Sequence, residues 1–376
     1  MDVYFWQNMP SHIQSPAIVE LAKIWPGNVH CVWETPISAD RSALSWTPPD
    51  LPGISQQFID RQQPAEFAKR VIFSAREQIH IFSGLSSYPA ITAAFRYASR
   101  IGAGKLGLMV EPGIRIGWRG WLRPYRARLI ATSHYRSIRL VLAMGQTGVR
   151  FYRHAGFAQQ IIFPYMYQGP VGSDQPRKDS SGTFNLIYVG KFDRRKGLDL
   201  LLRALTLCRT KGIKLRIIGA GKQERELREL SHRLKLDGSL CWEGVRDHRE
   251  IMVSLGEADL CVVPSRFEGW GVVVNEAIGM GTPVICSSAT TARDLVEYGN
   301  CGAVFTSGDA NDLAERIDQI LQTGGALAAA REHASRYRRQ IAAPVVARYL
   351  MQVLEFAFLG AARRPSPPWQ QSIDAR

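Results

Sequence analysis

From Phe184 onward the sequence repeats one unit: a short apolar run, a polar loop, then a longer stretch with its apolar residues on one face. FNLIYVG, KLRIIG, SLCWEG, DLCVVPS, PVICSS and AVFTS are the apolar runs, and patterns such as LDLLLRALTLCR and ERELRELSHRLK lie between them. Strands that alternate with helices need crossover connections, which makes the strands parallel and covers both faces of the sheet. The same alternation precedes residue 168. Strands are expected over 3–7, from Val29, over 78–83 and over 105–110, with helices over 15–25, 65–74 and 90–100. Residues 125–133, 140–144 and 160–164 continue it, with an amphipathic helix in QTGVRFYRHAGF. Residues 36–64, rich in proline and glutamine, read as loop with one short strand at most. The polar stretch 168–183, QGPVGSDQPRKDSSGT, reads as a linker. A chain of 376 residues suits two cores. The expectation is α/β: two doubly wound Rossmann-like domains, 1–167 and 184–341, facing a central cleft.

Chemistry concentrates in Pro264 to Pro283, PSRFEGWGVVVNEAIGMGTP, directly after an apolar strand. Glu268 sits at the strand's exit, and Glu276 follows inside the helix that Val272 begins, with seven residues between the two. Gly269, Trp270 and Gly271 leave main-chain N–H groups uncovered, and the helix N-terminus suits phosphate or sugar oxygens. An ionised carboxylate only accepts, so Glu276 can take both hydroxyls of a ribose and Glu268 those of a sugar. The plainer alternative makes Glu268 a helix cap and Glu276 a solvated face residue.

Other motifs are weaker. Gly102, Gly104 and Gly107 spell G-x-G-x-x-G, but they follow a helix and precede a strand, the reverse of what a dinucleotide site needs. Gly219-Ala220-Gly221 stands after a strand and before a helix but lacks the third glycine, so it suits contact with a nucleotide without making a nicotinamide site. Gly104-Lys105 is followed by Leu106, so no P-loop hydroxyl is present. In KFDRRKG, Gly190 with Lys191 and Lys196 with Gly197 leave a strand where a diphosphate could be met, or form a solvated basic turn. His12, with Ser11, and Glu111 end strands of the first half. A lone histidine such as His12 is more often a loop or packing residue, and Glu111 is equally a cap.

Pro264-Ser265, Glu268-Gly269, Gly271, Glu276-Ala277, Gly281 and Pro283-Val284 together resemble the signature of retaining glycosyltransferases of family 4, the group 1 glycosyltransferases with the GT-B fold. Gly190 to Gly197 is similar to that family's G-R-x-x-x-x-K-G phrase, with Lys191 where arginine is usual. The resemblance is close from the linker to Leu321 and loose before it. It implies an N-terminal acceptor domain rejoined by the apolar helix 342–360 and a C-terminal nucleotide-sugar domain; residues 361–376 read by themselves as a tail that frays. It further implies a nucleoside-diphosphate sugar donor, a saccharide or glycolipid acceptor, retention of anomeric configuration and no obligatory metal. Lys196 and Lys191 would meet the diphosphate, Glu268 and the 269–271 amides the sugar, and Glu276 the ribose; Glu111 holds the place where the family often faces the transferred sugar. The absence of a D-x-D phrase agrees on metal. An epimerase on the same fold would need carboxylates and histidines clustered, which the sequence does not display; a non-catalytic basic scaffold is the alternative from another class.

Charge suggests the partner. The chain is +14, and residues 1–180 hold 20 of the 47 basic but only 11 of the 33 acidic side chains. No acid falls between Glu111 and Asp174, while Arg115 to Arg139 interleaves arginines with Trp118, Trp121, Tyr125 and Tyr135. A solvated basic face is the ordinary outcome; an anionic membrane surface is the functional one, with arginines on headgroups and aromatics at their depth. No recognition helix, RNP phrase or zinc module supports nucleic acid. With no signal peptide pattern and six scattered cysteines lacking C-x-x-C, the expected setting is cytoplasmic, at most peripheral on the inner membrane. Donor base and oligomeric state stay open.

Overall fold

A computed structural model of the chain describes residues 1–37, 48–84, 88–113, 122–134, 137–172 and 182–371. They divide into two compact units. In the first, β1 (Val3–Gln7), α1 (Ser15–Ile24), β2 (Val29–Trp33) and β3 (Ile54–Phe58) lead to α2 (Pro64–Ser74) and β4 (Ile79–Ser83). Then come α3 (Pro89–Arg100), β5 (Leu106–Val110), α4 (Arg123–Ser133), β6 (Ile138–Met144), α5 (Gly145–His154) and β7 (Ile162–Tyr165). The sheet runs β3-β2-β1-β4-β5-β6-β7, every pair parallel. Its central strands are apolar without alternation because helices cover both faces; Val3, Phe5, Trp6, Ile79, Phe82, Leu106 and Leu108 are all buried. β3, the one strand allowed for in the proline-rich stretch, is an edge strand and mostly exposed.

The second unit repeats the plan. β8 (Phe184–Val189), α6 (Leu198–Leu207), β9 (Ile213–Ile218), α7 (Glu224–Arg233), β10 (Leu240–Gly244) and α8 (His248–Glu257) form its first half. β11 (Leu260–Val263), α9 (Val272–Gly279), β12 (Val284–Ser287), α10 (Arg293–Gly299), β13 (Gly302–Phe305) and α11 (Ala310–Gln322) form its second. The strand order is β10-β9-β8-β11-β12-β13, again parallel throughout. The doubly wound α/β class expected from the alternation is therefore the observed one. Leu201, Ile217, Val262 and Phe305 are among the side chains of its core.

Three stretches differ from the sequence reading. A helix, α12 (Ala326–Tyr337), occupies residues to which no element was assigned; its Ala330, Ala334 and Tyr337 are buried, so short alanines carry an inward face that is hard to see in sequence. Within the expected linker, Gln168 is buried and Gly172 N–H donates to Gly279 O at 3.0 Å, so residues 168–172 pack on α9; residues 173–181 lie outside the described ones. Residues 361–371, expected to fray, are held at Arg364 and Trp369. After α13 (Ala343–Leu354), which lies on α1, Arg364 sits 4.0 Å over the Phe163 ring and donates to Gln160 and Ile162 main-chain oxygens. Trp369 is buried, and its main-chain oxygen accepts from the Tyr337 hydroxyl at 2.7 Å. A buried indole and a guanidinium stacked on a ring hold a segment whose prolines suggested a tail.

The basic and aromatic residues 114–121 and 135–136 lie outside the described residues, as do the side chains of Arg123 and Arg126. Among the described residues, no helix is long and apolar enough to cross a membrane. The six cysteines are free thiols, with Cys31, Cys261, Cys286 and Cys301 buried.

His80 of β4 is wholly buried beneath this core. Trp6 Nε1–H donates to its Nδ1 at 3.1 Å and its Nε2 lies 2.9 Å from Ala75 O, which fits a neutral ring with the proton on Nε2. Burial pushes its pKa down to about 4. The unfolded chain therefore binds a proton between about pH 6.5 and that value while the native state does not, and native stability falls as pH drops through this window. Urea unfolding at pH 7 and pH 4.5 is expected to show a loss of about 2–3 kcal/mol that His80→Gln no longer shows.

Candidate functional site

The strand order of the second sheet reverses between β8 and β11. Parallel neighbours leave the sheet on the same edge, so the loop from Gly190 to Gly197 and the loop from Pro264 to Gly271 emerge side by side. Crevices at such reversals are where open α/β sheets bind ligands. The two loops are fastened to each other. Arg266 N–H donates to Arg195 O at 2.8 Å, and the Arg266 guanidinium donates to Arg194 O at 2.9 Å and to both oxygens of Asp199 at 2.7 and 2.8 Å. Burial works against ionising Asp199, but the fork from Arg266 outweighs it and holds the carboxyl below its usual range. Gly197 is where the backbones come closest: φ is +70°, and an added Cβ would stand 2.1 Å from Pro264 O.

Between the loops lies Glu268, 7% exposed. Its carboxylate accepts from Lys196 Nζ, from Arg195 Nη1 at 2.8 Å and from Ser265 Oγ at 3.0 Å. Arg195 also donates to Phe267 O at 3.3 Å. A carboxylate buried this far is costly unless paired and hydrogen-bonded, and here it has two cations and a hydroxyl. Its main chain is held too, Glu268 N–H donating to Ala289 O at 3.1 Å and Thr291 Oγ1 to Glu268 O at 3.2 Å.

The turn beyond Glu268 places α9. Gly271 takes φ +100°, and an added Cβ would stand 2.6 Å from Thr290 Cγ2. Gly271 caps α9 without a side-chain bond; Val274 N–H donates back to Gly271 O at 3.0 Å, and no side chain caps the N–H groups of Val272 and Val273. Trp270 faces inward, 3% exposed, its Nε1–H donating to Asn275 Oδ1 at 2.6 Å; the indole anchors the turn. Gly269 joins these residues on the loop. Seven of the eight residues of α9 are buried, Glu276 among them. Glu276 Oε1 lies 3.0 Å from His248 Nε2, and the carboxylate raises the pKa of that histidine against the opposing effect of burial. The Gly169 backbone lies against Glu276: an added Cβ would be 3.3 Å from its Cα, Cγ and N.

Gly190, Gly219 and Gly221 come together where two strand exits cross. An added Cβ at Gly219 would be 2.0 Å from Gly190 O, and one at Gly221 would be 2.4 Å from Phe192 O, while Phe192 N–H donates to Ala220 O at 2.9 Å. Close backbone packing accounts for Gly219 and Gly221. Lys191 is exposed on the same loop and takes no part in the Glu268 cluster. In the first unit, His12 is half-buried beyond β1, beside the buried Ser11. Glu111 follows β5; its carboxylate accepts from Tyr167 Oη at 2.8 Å and its main-chain oxygen from Tyr152 Oη at 2.7 Å. Burial and the neighbouring Glu111 raise the Tyr167 pKa well above its ordinary value.

Arg195, Ser265 and His248 were not singled out from sequence. Arg195 adjoins Lys196 and Ser265 was quoted only as part of the resemblance, so neighbourhood in the chain could have found both. Nothing local connects His248 with Glu276; only the packing of α8 against α9 does. Among the described residues no group of three His, Cys, Asp or Glu side chains is placed to hold a metal ion.

The pattern of the family described as Glycosyl transferases group 1 matches residues 174–340. The chain is 30% identical over 164 residues to a glycogen synthase of Mycobacterium tuberculosis, covering 43% of this chain and 39% of that one. It is 32% identical over 230 residues to the glycogen synthase of Thermus caldophilus, covering 54% and 50%. The chain thus spans half or less of the length of these relatives. Among solved structures, Anabaena Alr3699/HepE in complex with UDP superposes with a TM-score of 0.73 at 18% identity, over 95% of this chain and 100% of that one. The lipopolysaccharide outer core galactosyltransferase WaaB gives 0.70 at 15% identity, over 94% and 99%. These likenesses show the GT-B fold, two Rossmann-like domains.

Gly197→Ala is expected to destabilise the second unit by at least about 2 kcal/mol, since both φ and the Pro264 carbonyl oppose a methyl group. Gly308→Ala, where φ is +88° and nothing stands within 4 Å, should cost only about 1 kcal/mol. Thermal melts of the two variants check the difference.

Proposed function

We propose, for a chain whose residues 174–340 match the pattern of the group 1 glycosyl transferases, that the protein moves a sugar from a nucleoside-diphosphate sugar to a hydroxyl of a saccharide acceptor, with retention of configuration. The observation that carries this reading is the pairing of Lys196 and Arg195 with the buried Glu268 at the strand-order reversal, next to the uncapped start of α9. Cations and main-chain N–H groups there suit a diphosphate. As the bond from the anomeric carbon to the diphosphate oxygen breaks and the bond to the acceptor oxygen forms, charge grows on the leaving oxygen. Lys196, with the exposed Lys191 as a second cation, stabilises it, the electrostatic contribution that weighs most in such transfers. Glu268 and the amides of Gly269 to Gly271 hold the sugar hydroxyls, and Glu276 accepts from the ribose. His12 and Glu111, on strand exits of the first unit, serve the acceptor side. Neutralisation by lysines makes a metal unnecessary.

The acceptor reading is a lipid-linked or lipopolysaccharide-type saccharide. In support, α4 turns Tyr125 and Leu129, four residues apart and each 67% exposed, to solvent beside Arg128. Leu122 is exposed just before it. Apolar side chains on successive turns among arginines suit the headgroup region of an anionic bilayer. WaaB, similar in fold, is a lipopolysaccharide outer core galactosyltransferase, and Alr3699/HepE was crystallised with UDP.

Thermal shift with UDP, GDP and ADP, without metal, is the test. One nucleotide at a hundred times its Kd should stabilise wild type by about 2.7 kcal/mol and fail to stabilise Glu276→Ala or Lys196→Ala. Stabilisation of Glu276→Ala equal to that of wild type would remove the ribose assignment; no response to any nucleotide favours a non-catalytic membrane protein. Co-sedimentation with anionic vesicles should fall at least threefold in Tyr125→Ser/Leu129→Ser, and vesicles of zwitterionic lipid should bind neither protein.

A further inference from the structure

Glu276 has a partner that the sequence did not announce. His248 is the first residue of α8, and the start of that helix is fixed by reciprocal bonds between Asp247 and Glu250. Thr282 Oγ1 donates to Leu255 O at 2.6 Å, tying the turn after α9 to the far end of α8. The start of α8 is thereby fixed and its far end is tied to the turn after α9, and between the two helices the imidazole meets the carboxylate, Nε2 to Oε1, at 3.0 Å. On its other side Glu276 has the Gly169 backbone, close enough that even a Cβ there would be crowded.

We propose that His248 is a positioning residue for the sugar nucleotide: its imidazolium holds the Glu276 side chain in one orientation, so that affinity for the nucleotide falls as the histidine loses its proton. This rests on the reading of Glu276 as the ribose acceptor. The charged groups acting on the ring are Glu276 across the helix pair and Asp247 beside it, both of which raise its pKa, while burial opposes them. β8, also packed on α8, brings Tyr188, whose ionisation burial pushes far out of range. The hydrogen bond is therefore charge-assisted below the ordinary histidine value near 6.5, and the assistance is lost as pH rises through the raised value.

The experiment titrates UDP-glucose, GDP-mannose and ADP-glucose into the full chain by calorimetry at pH 6 and pH 8.5. Sugar nucleotides are used because their diphosphates carry no proton that titrates in this range. For whichever binds, wild-type Kd should rise about fivefold between the two pH values. His248→Ala should bind about tenfold more weakly at pH 6 with no pH dependence, and His248→Gln, which keeps an N–H donor, should be equally flat but intermediate. By NMR the His248 ring should titrate above the ordinary value in wild type and return towards it in Glu276→Gln. If His248→Ala keeps both affinity and pH profile while Glu276→Ala loses binding, the ribose reading stands and the role of His248 is overturned. If Glu276→Ala binds as well as wild type, or no sugar nucleotide binds wild type, both readings fall together.

Discussion

A carboxylate taken out of water must carry its counter-charge with it, and the second unit is arranged around that requirement at Glu268. Lys196 and Arg195 come from one strand exit and Glu268 from the next, so their pairing exists only if β8 and β11 are neighbours. The neighbouring bonds serve the same end. Arg266 on Asp199 holds the loops in register, and Gly197 lets the start of α6 come against Pro264. A diphosphate would enter a place where the cations are already gathered.

Glu276 is held by different means. It sits on a short helix with almost no exposed surface, bounded by the backbone of Gly169 and by His248. Helix packing does for this carboxylate what loop pairing does for Glu268. The stretch joining the two units is part of that packing: residues 168–172 lie on α9, so their glycines answer to close contact as much as to the freedom of a linker. In the proposed transfer the ribose acceptor is thus rigid, while the cluster at Glu268 is the one that must exchange partners when an anion arrives.

Much of the architecture was legible because parallel sheets bury both faces. Strands such as LCVV and VICS are apolar without interruption, and helices such as α7 and α11 keep a clear polar side. What escaped did so for physical reasons. α12 carries its inward face on alanines, whose small apolar surface gives little periodic contrast. The C-terminal residues look like tail by proline content, yet one tryptophan and one stacked arginine outweigh composition. Trp270 and the glycines at 219 and 221 were read as ligand-facing; their positions are also required by the core and by crossing backbones.

The sequence by itself determined the class of fold, the order of its elements and the two glutamates with their lysine, because periodicity and short spacings are local properties of a chain. Tertiary structure alone decided which side chains answer those glutamates. Arg195 reaches Glu268 across the strand-order reversal, and His248 reaches Glu276 from twenty-eight residues away. A buried charge selects its partner by distance in space, and that distance is set by how helices and strands pack rather than by their separation along the chain.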